Sequence, residues 1–181
     1  LIQNHFQIAI QDKSISLEGI RFYLQGKNSR INLPVDITGR ITLPLLKSAY
    51  DENAELVFGQ KVGAHQFRAR LSILARADGI YDATELRNAC EQILSYQQFI
   101  SPSLREKKCV GVRFGFSKKE LESRVEVRSA NRSTQFLTIS ENTALWEDGA
   151  ENLKTASFKF SDANLKTQVV LYSTPIAIAA I

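Results

Sequence analysis

Val110-Gly111-Val112-Arg113-Phe114-Gly115-Phe116 alternates apolar residues with small or charged ones. Successive side chains of a strand point to opposite faces. Val110, Val112, Phe114 and Phe116 therefore share one face, and Cys109, Gly111, Arg113 and Gly115 share the other. That pattern predicts a strand with one face on a core. The two glycines leave room on the second face for another element to approach closely.

The same rhythm recurs on both sides of this stretch. After it come Arg124–Arg128, Gln135–Ile139, Ser157–Phe160, Gln168–Tyr172 and the apolar end Pro175–Ile181. Before it come Phe6–Ile10, Ser16–Leu24, Arg30–Val35, Arg40–Leu43, Ala54–Phe58 and Phe67–Leu74. Asp36-Ile37-Thr38-Gly39 and Asp78-Gly79 are turn signals. The first of them predicts a hairpin with Arg40–Leu43 as its returning arm. The strand Val169–Tyr172 is a candidate sheet edge, able to pair with another chain.

One segment has the helical period instead. Asp82-Ala83-Thr84-Glu85 has capping-box spacing, with Asp82 as the cap. Leu86, Ala89, Cys90, Ile93 and Gln97 follow at helical intervals, and Pro102 stops the pattern. This predicts a helix over 83–99. Cys90 lies on its apolar stripe, so the expectation is that the helix packs near the glycine face of the Val110–Phe116 strand.

Two stretches roughly half a chain apart resemble each other. Gly19-Ile20-Arg21-Phe22-Tyr23-Leu24 matches Gly111–Phe116, and Ser29-Arg30-Ile31-Asn32-Leu33 matches Ser123-Arg124-Val125-Glu126-Val127. The expected fold is mainly β, with two duplicated small β-sandwich-like units and one amphipathic helix between them. Residues 1–81 form the first β unit, 82–104 the helix and linker, and 105–181 the second β unit.

Composition narrows the classes. The 181 residues are 44% hydrophobic and 23% charged, with 9 Gly, 4 Pro and 2 Cys. Those are globular proportions, which exclude collagen-like, disordered and disulfide-packed chains. The net charge of +4 is mild. The basic runs Arg105-Glu106-Lys107-Lys108 and Lys118-Lys119-Glu120 each carry a glutamate and no interleaved aromatic. They read as solvated turns and give a nucleic-acid surface little support. No apolar window is long enough to span a membrane as a helix. The start at Leu1 and the lack of any Met suggest a processed or trimmed chain.

Cys90 and Cys109 are the two cysteines. A disulfide between them would tie the helix to the next strand and imply an oxidising compartment, periplasmic or secreted. Two buried reduced thiols are the alternative. The spacing suits neither a redox motif nor a zinc site.

Catalytic patterns are missing. His5 and His65 have no metal-ligand spacing, and there is no nucleophile elbow or phosphate loop. Asp36-Ile37-Thr38-Gly39 lacks both the spacing and the second acid of a carboxylate dyad. Asp51, Glu52 and Glu55, with Glu147, Asp148 and Glu151 in the second half, read as solvated loops without a calcium-loop pattern. Asn131-Arg132-Ser133 is a glycosylation triplet. Trp146, Tyr50 and Tyr23 are the candidate ligand-binding aromatics. A lone tryptophan is more often a core plug.

Val35-Asp36-Ile37-Thr38-Gly39-Arg40-Ile41-Thr42-Leu43-Pro44 resembles the hairpin of transthyretin-like, immunoglobulin-like bacterial modules. The shared features are an Asp, then a Gly, then alternating apolar residues. The resemblance implies a β-sandwich of the cell envelope without catalysis of its own, and it assigns no functional residue.

The expected function is thus a non-enzymatic envelope or secreted binding or assembly module. Its partner would be a protein, peptide or glycan, with no cofactor and no metal. A hydrolase using scattered carboxylates and a weak nucleic-acid binder are the alternatives.

Overall fold

The structure, a computed structural model, describes residues 2–12, 15, 17, 19–129, 131–149, 152–162 and 166–181. Ser16 and Glu18 of the expected Ser16–Leu24 strand, and Glu151 of the second acidic group, lie outside these residues. In chain order the elements begin with β1 (Ile2–Ile10), β2 (Phe22–Gln25), β3 (Arg30–Leu33), β4 (Arg40–Ile41), a short helix α1 (Lys47–Asp51), β5 (Glu55–Phe58) and β6 (His65–Ile73). They continue with β7 (Ile80–Asp82), α2 (Ala83–Ile100), β8 (Gly111–Phe116), β9 (Val125–Arg128), β10 (Thr134–Phe136), β11 (Ser140–Thr143), β12 (Leu153–Lys159), β13 (Gln168–Leu171) and β14 (Ala177–Ala180). Among the described residues the fold is mainly β with a single long helix. Residues group into two compact units, one of Asn4–Arg70 and one of Leu1–Gln3 with Leu71–Ile181.

In the larger unit, β11, β12, β8 and β14 form one sheet in that order, with Ile73 of β6 opposite Ile178 of β14. A four-stranded sheet runs β10-β9-β13-β7. The two sheets share one sandwich-like core. Val112, Phe114, Phe116, Phe158 and Ile178 enter it from the first sheet, and Val125, Val127, Val169, Leu171 and Tyr81 from the second. Leu86, Ala89, Cys90 and Ile93 of α2 complete it. The apolar alternation of β8 and the stripe of α2 are therefore used as their periods require.

The helix follows its expected span, but its cap differs. Asp82 makes no side-chain cap. Its carboxylate accepts instead from Gln168 Nε2, its cross-strand neighbour, at 3.3 Å. Glu85 meets Arg76 at 3.2 Å. The Ala83 amide, one of the donors that a helix start leaves unpaired, donates to the Thr167 carbonyl at 2.9 Å.

The glycine face of β8 is covered by a loop rather than by α2. A Cβ at Gly115 would stand 3.0 Å from Leu145. Leu145 and Trp146 pack with Leu153, Ala177 and Ala179 on that side, and Arg113 donates to the Ala144 carbonyl at 3.2 Å. The helix went to the other face because Val112, Phe114 and Phe116 offer the larger apolar area there. The expected edge strand, Val169–Tyr172, is also corrected. β13 pairs with β9 on one side and β7 on the other, so its backbone groups are consumed within the sheet.

In the smaller unit β2 lies between β3 and β5, and β4 pairs with β1 through Phe6↔Ile41 and Gln7↔Arg40. Ile8, Phe22, Leu33 and Ile41 form its core. The turn at Asp36–Gly39 forms as its residues predict. Gly39 has φ +81°, where a side chain is strained, and a Cβ there would stand 2.5 Å from the Ile8 carbonyl oxygen. The hairpin does not form: β3 pairs with β2, and the returning arm joins β1. Local alternation fixes which face is apolar but leaves the pairing partner open. The two stretches suggestive of duplication also pair differently. β2 and β3 are neighbours in one sheet, whereas β8 and β9 belong to different sheets, so the topology gives the duplication no support.

A polar centre accompanies the small core. Asp36 accepts from the Thr38 amide at 2.8 Å, the Thr38 hydroxyl at 2.6 Å and the Arg40 amide at 3.0 Å. Its other oxygen pairs with the buried Arg40 guanidinium at 2.7 Å. Gln7 donates to the Thr38 carbonyl at 2.7 Å and accepts from Arg70. His5 is half-buried nearby in sequence, with Nδ1 3.4 Å from Thr42 Oγ1 and Nε2 buried without a partner. Burial first, and then the charge of Arg40, lowers its pKa from the ordinary 6.5, against an opposing pull from Asp36.

Cys90 and Cys109 stand at disulfide distance, with Cα atoms 6.0 Å apart. Alkylation of the unfolded, unreduced protein is expected to add no mass, and two added groups would show free thiols. Reduction is expected to lower stability by roughly 3 kcal/mol in denaturant titrations, the loop-closure magnitude for such a spacing. His5 supplies a pH test. The folded state resists its protonation and the unfolded state does not, so stability is full above pH 6.5 and falls as pH drops below that value. Thermal unfolding followed downward from neutral pH is expected to show this loss, and His5→Gln to flatten it. An unchanged slope in the variant would remove His5 as the cause.

Candidate functional site

Strand alternation places a defined set of side chains on the outer face of the four-stranded sheet. Val125 and Val127 turn into the core, so Arg124, Glu126 and Arg128 turn outward. The register sets Phe136, Glu126, Val170 and Ile80 in one row across the sheet. Thr134, Arg128, Gln168 and Asp82 form the next row.

Two of these groups, Glu126 and Arg128, are held together with Tyr172, the residue after β13. Arg128 donates to Glu126 Oε2 at 3.0 Å, and the Tyr172 hydroxyl donates to the same oxygen at 2.5 Å. These two hydrogen bonds, Arg128 foremost, hold the Glu126 carboxyl below the usual carboxylate range. Glu126 is only 7% exposed. The same pairing raises Arg128.

Arg124 is held differently. Its guanidinium carbon lies 4.1 Å from the Tyr172 ring centroid and 5.2 Å from that of Phe136. Both distances are cation–π contacts. Phe136 is 53% and Tyr172 43% exposed. Large aromatics left this open on a sheet face are a signature of binding surfaces, where they supply area at small entropic cost. Alongside lies an open hollow of 470 Å³ at the start of α2, lined by Asp82, Glu85, Arg128, Lys166 and Gln168 among others. The face thus has an aromatic and arginine end and a polar, mixed-charge end.

The aromatics expected from sequence are placed elsewhere. Trp146 is 8% exposed and packed in the cluster with Leu145 and Leu153, the place of a core plug. Tyr50 is 85% exposed on α1. Tyr23 lies on β2 beneath Arg30, whose guanidinium carbon is 3.8 Å from its ring centroid. Trp146 belongs to the larger unit and the two tyrosines to the smaller.

The acidic groups serve structure. Glu52 accepts from the Asn28 amide at 3.2 Å and the Ser29 hydroxyl at 3.0 Å, and these bonds lower its pKa. Asp51 pairs with Lys47 at 2.6 Å, and Glu147 with Lys107 at 2.8 Å. Among the described residues no group of three or more His, Cys, Asp or Glu is placed to hold a metal ion. His65 stacks edge-on against Phe58 and Phe67. Asn131 closes the β9–β10 turn by accepting from the Ser133 hydroxyl at 2.7 Å.

Arg124, Glu126, Phe136 and Tyr172 escaped the sequence reading as a group. The outward set Arg124, Glu126 and Arg128 was visible in the alternation. Its aromatic neighbours come from β10 and from the residue after β13, brought beside it only by pairing.

If Arg128 and Tyr172 hold Glu126 low, then Tyr172→Phe with Arg128→Gln is expected to raise its titration midpoint toward the ordinary glutamate value. Carboxyl chemical shifts followed against pH read this directly, and an unmoved midpoint would refute the assignment. No protein-family model, curated protein or solved structure matches the chain, so the reading of this face rests on its own chemistry.

Proposed function

We propose that the protein is a non-enzymatic binding or assembly module of the cell envelope or the secreted space, and that it takes its ligand on the outer face of the β10-β9-β13-β7 sheet. The observation that carries this is the half-exposed Tyr172 and Phe136 flanking Arg124. The ring contacts and the Glu126–Arg128–Tyr172 bonds pre-orient the face, and pre-orientation lowers the entropic cost of binding.

Other features support the reading. Cys90 and Cys109 at disulfide distance suit an oxidising compartment, and no helix among the described residues is long and apolar enough to cross a membrane. A carboxylate-based hydrolase needs an acid held neutral near its working pH. On the proposed face Glu126 is instead shifted downward by its hydrogen bonds with Arg128 and Tyr172.

The test is retention of the purified protein on arrays of peptides, neutral glycans and uronic-acid glycans. Wild type is compared with a Phe136→Ser/Tyr172→Ser double variant whose fold is checked by circular dichroism. Retention on at least one ligand class is expected, weakened about tenfold or more in the variant, as for loss of an aromatic anchor. Equal retention by both would place the ligand elsewhere. Turnover of a bound ligand that disappears in Glu126→Gln would replace the module with an enzyme.

A further inference from the structure

Among the described residues β10 is an edge strand of the four-stranded sheet, with β9 on one side and no strand on the other. The Ser129 amide donates to the Ser133 carbonyl, and the Leu137 amide to the Val125 carbonyl. In an antiparallel ladder, hydrogen-bonded and non-hydrogen-bonded pairs alternate. Thr134↔Arg128 and Phe136↔Glu126 are therefore the non-bonded pairs. The N–H and C=O groups of Thr134 and Phe136 point away from β9, toward the open edge. All three residues of β10 are exposed. The strand Thr134-Gln135-Phe136 carries no proline, charge or bulge, the devices that usually block such an edge.

The flanking charge selects the occupant. The hairpin from Ser123 to Leu137 carries Arg124, Arg128 and Arg132 against one acid, Glu126. Arg128 is committed to Glu126. Arg124 rests on the Tyr172 and Phe136 rings, and it acts on Glu126 through its charge, whereas the side-chain hydrogen bonds to Glu126 come from Arg128 and Tyr172. Its in-plane donors can therefore take a carboxylate in bidentate fashion.

We infer that the open edge of β10 docks an extended acidic peptide segment of a partner protein as an added strand, with Arg124 receiving one of its carboxylates. An incoming strand would bond through Thr134 and Phe136. Its residue opposite Phe136 would then emerge on the outer face, where directly opposite Cβ atoms lie roughly 4.5–5.5 Å apart. A Glu or Asp there extends toward Arg124 beside the same ring. Backbone bonds would supply affinity and the acidic side chain selectivity, as in other strand-addition complexes. This names the ligand class for the face proposed above and rests on that reading.

The probes are a short labelled alternating Thr-Glu peptide, its Thr-Lys counterpart, and a Thr-Glu peptide N-methylated at alternate residues. Oligogalacturonate supplies carboxylates without a peptide backbone. Fluorescence anisotropy is expected to show binding of the Thr-Glu peptide, with at least about tenfold weaker binding of the Thr-Lys and N-methylated forms. Arg124→Ala is expected to weaken the Thr-Glu peptide by about tenfold to a hundredfold, the loss of a charge-assisted hydrogen bond, with only partial recovery in Arg124→Lys. Hydrogen exchange on the native chain is expected to slow at the Thr134 and Phe136 amides. No binding of the Thr-Glu peptide, or equal binding of the N-methylated form, overturns the inference. Arg124-dependent binding of oligogalacturonate without peptide binding overturns it too, while leaving the ligand face standing. Binding of neither probe overturns the inference, while the ligand face itself falls only if the peptide and glycan arrays also show equal retention by wild type and the Phe136→Ser/Tyr172→Ser variant.

Discussion

The larger unit depends on one constraint: the inner face of β8 must be buried from both sides. Val112, Phe114 and Phe116 are fully enclosed, and burying them requires a second apolar surface opposite. The four-stranded sheet provides it with Val125, Val127, Val169 and Leu171, and α2 closes the core. Each large side chain buried there contributes roughly 1.5–3 kcal/mol relative to exposure. Once those valines and leucines turn inward, strand alternation leaves the intervening residues no choice. Arg124, Glu126, Arg128 and Tyr172 are on the outer face because their neighbours are in the core.

The candidate site is therefore a consequence of packing rather than an addition to it. Glu126 stays charged at little solvent exposure because Arg128 and Tyr172 satisfy it. Arg124 keeps its donors because its partners are ring faces, which attract a cation without consuming N–H groups. An arginine paired with a carboxylate would have no such capacity left, and Arg128 is that case on the same strand. The two arginines differ only in what pairing placed beside them.

The smaller unit solves a different problem. Its core is modest, and buried Arg40 and Arg70 lie beside it. A buried charge is costly unless it is paired and hydrogen-bonded. Asp36 meets this requirement for Arg40 within a single turn, and Gln7 reaches Arg70 from β1. Val35–Pro44 thus contains the turn that neutralises the buried guanidinium.

Local periodicity determined much by itself. The alternation of Val112–Phe116, the helical stripe from Leu86 to Ile93 and the turn at Asp36–Gly39 are each set by nearest neighbours, whereas Val110, expected on the same face, precedes β8 and is exposed. So is the inward direction of Val125 and Val127. The short α1 and the polar strand β11 (Ser-Glu-Asn-Thr) carry too weak a local signal to be read. Tertiary structure alone decided which strand lies beside which. β4 went to β1 and not β3, β13 became central, and the glycine face of β8 received Leu145 and not the helix. Those outcomes depend on contacts between residues far apart in the chain, where many partners have an equally suitable apolar face. The meeting of Arg124 with Phe136 and Tyr172 is of that kind, since Phe136 lies on β10 while Arg124 and Tyr172 flank β9 and β13, and they become neighbours only through the sheet's pairing order.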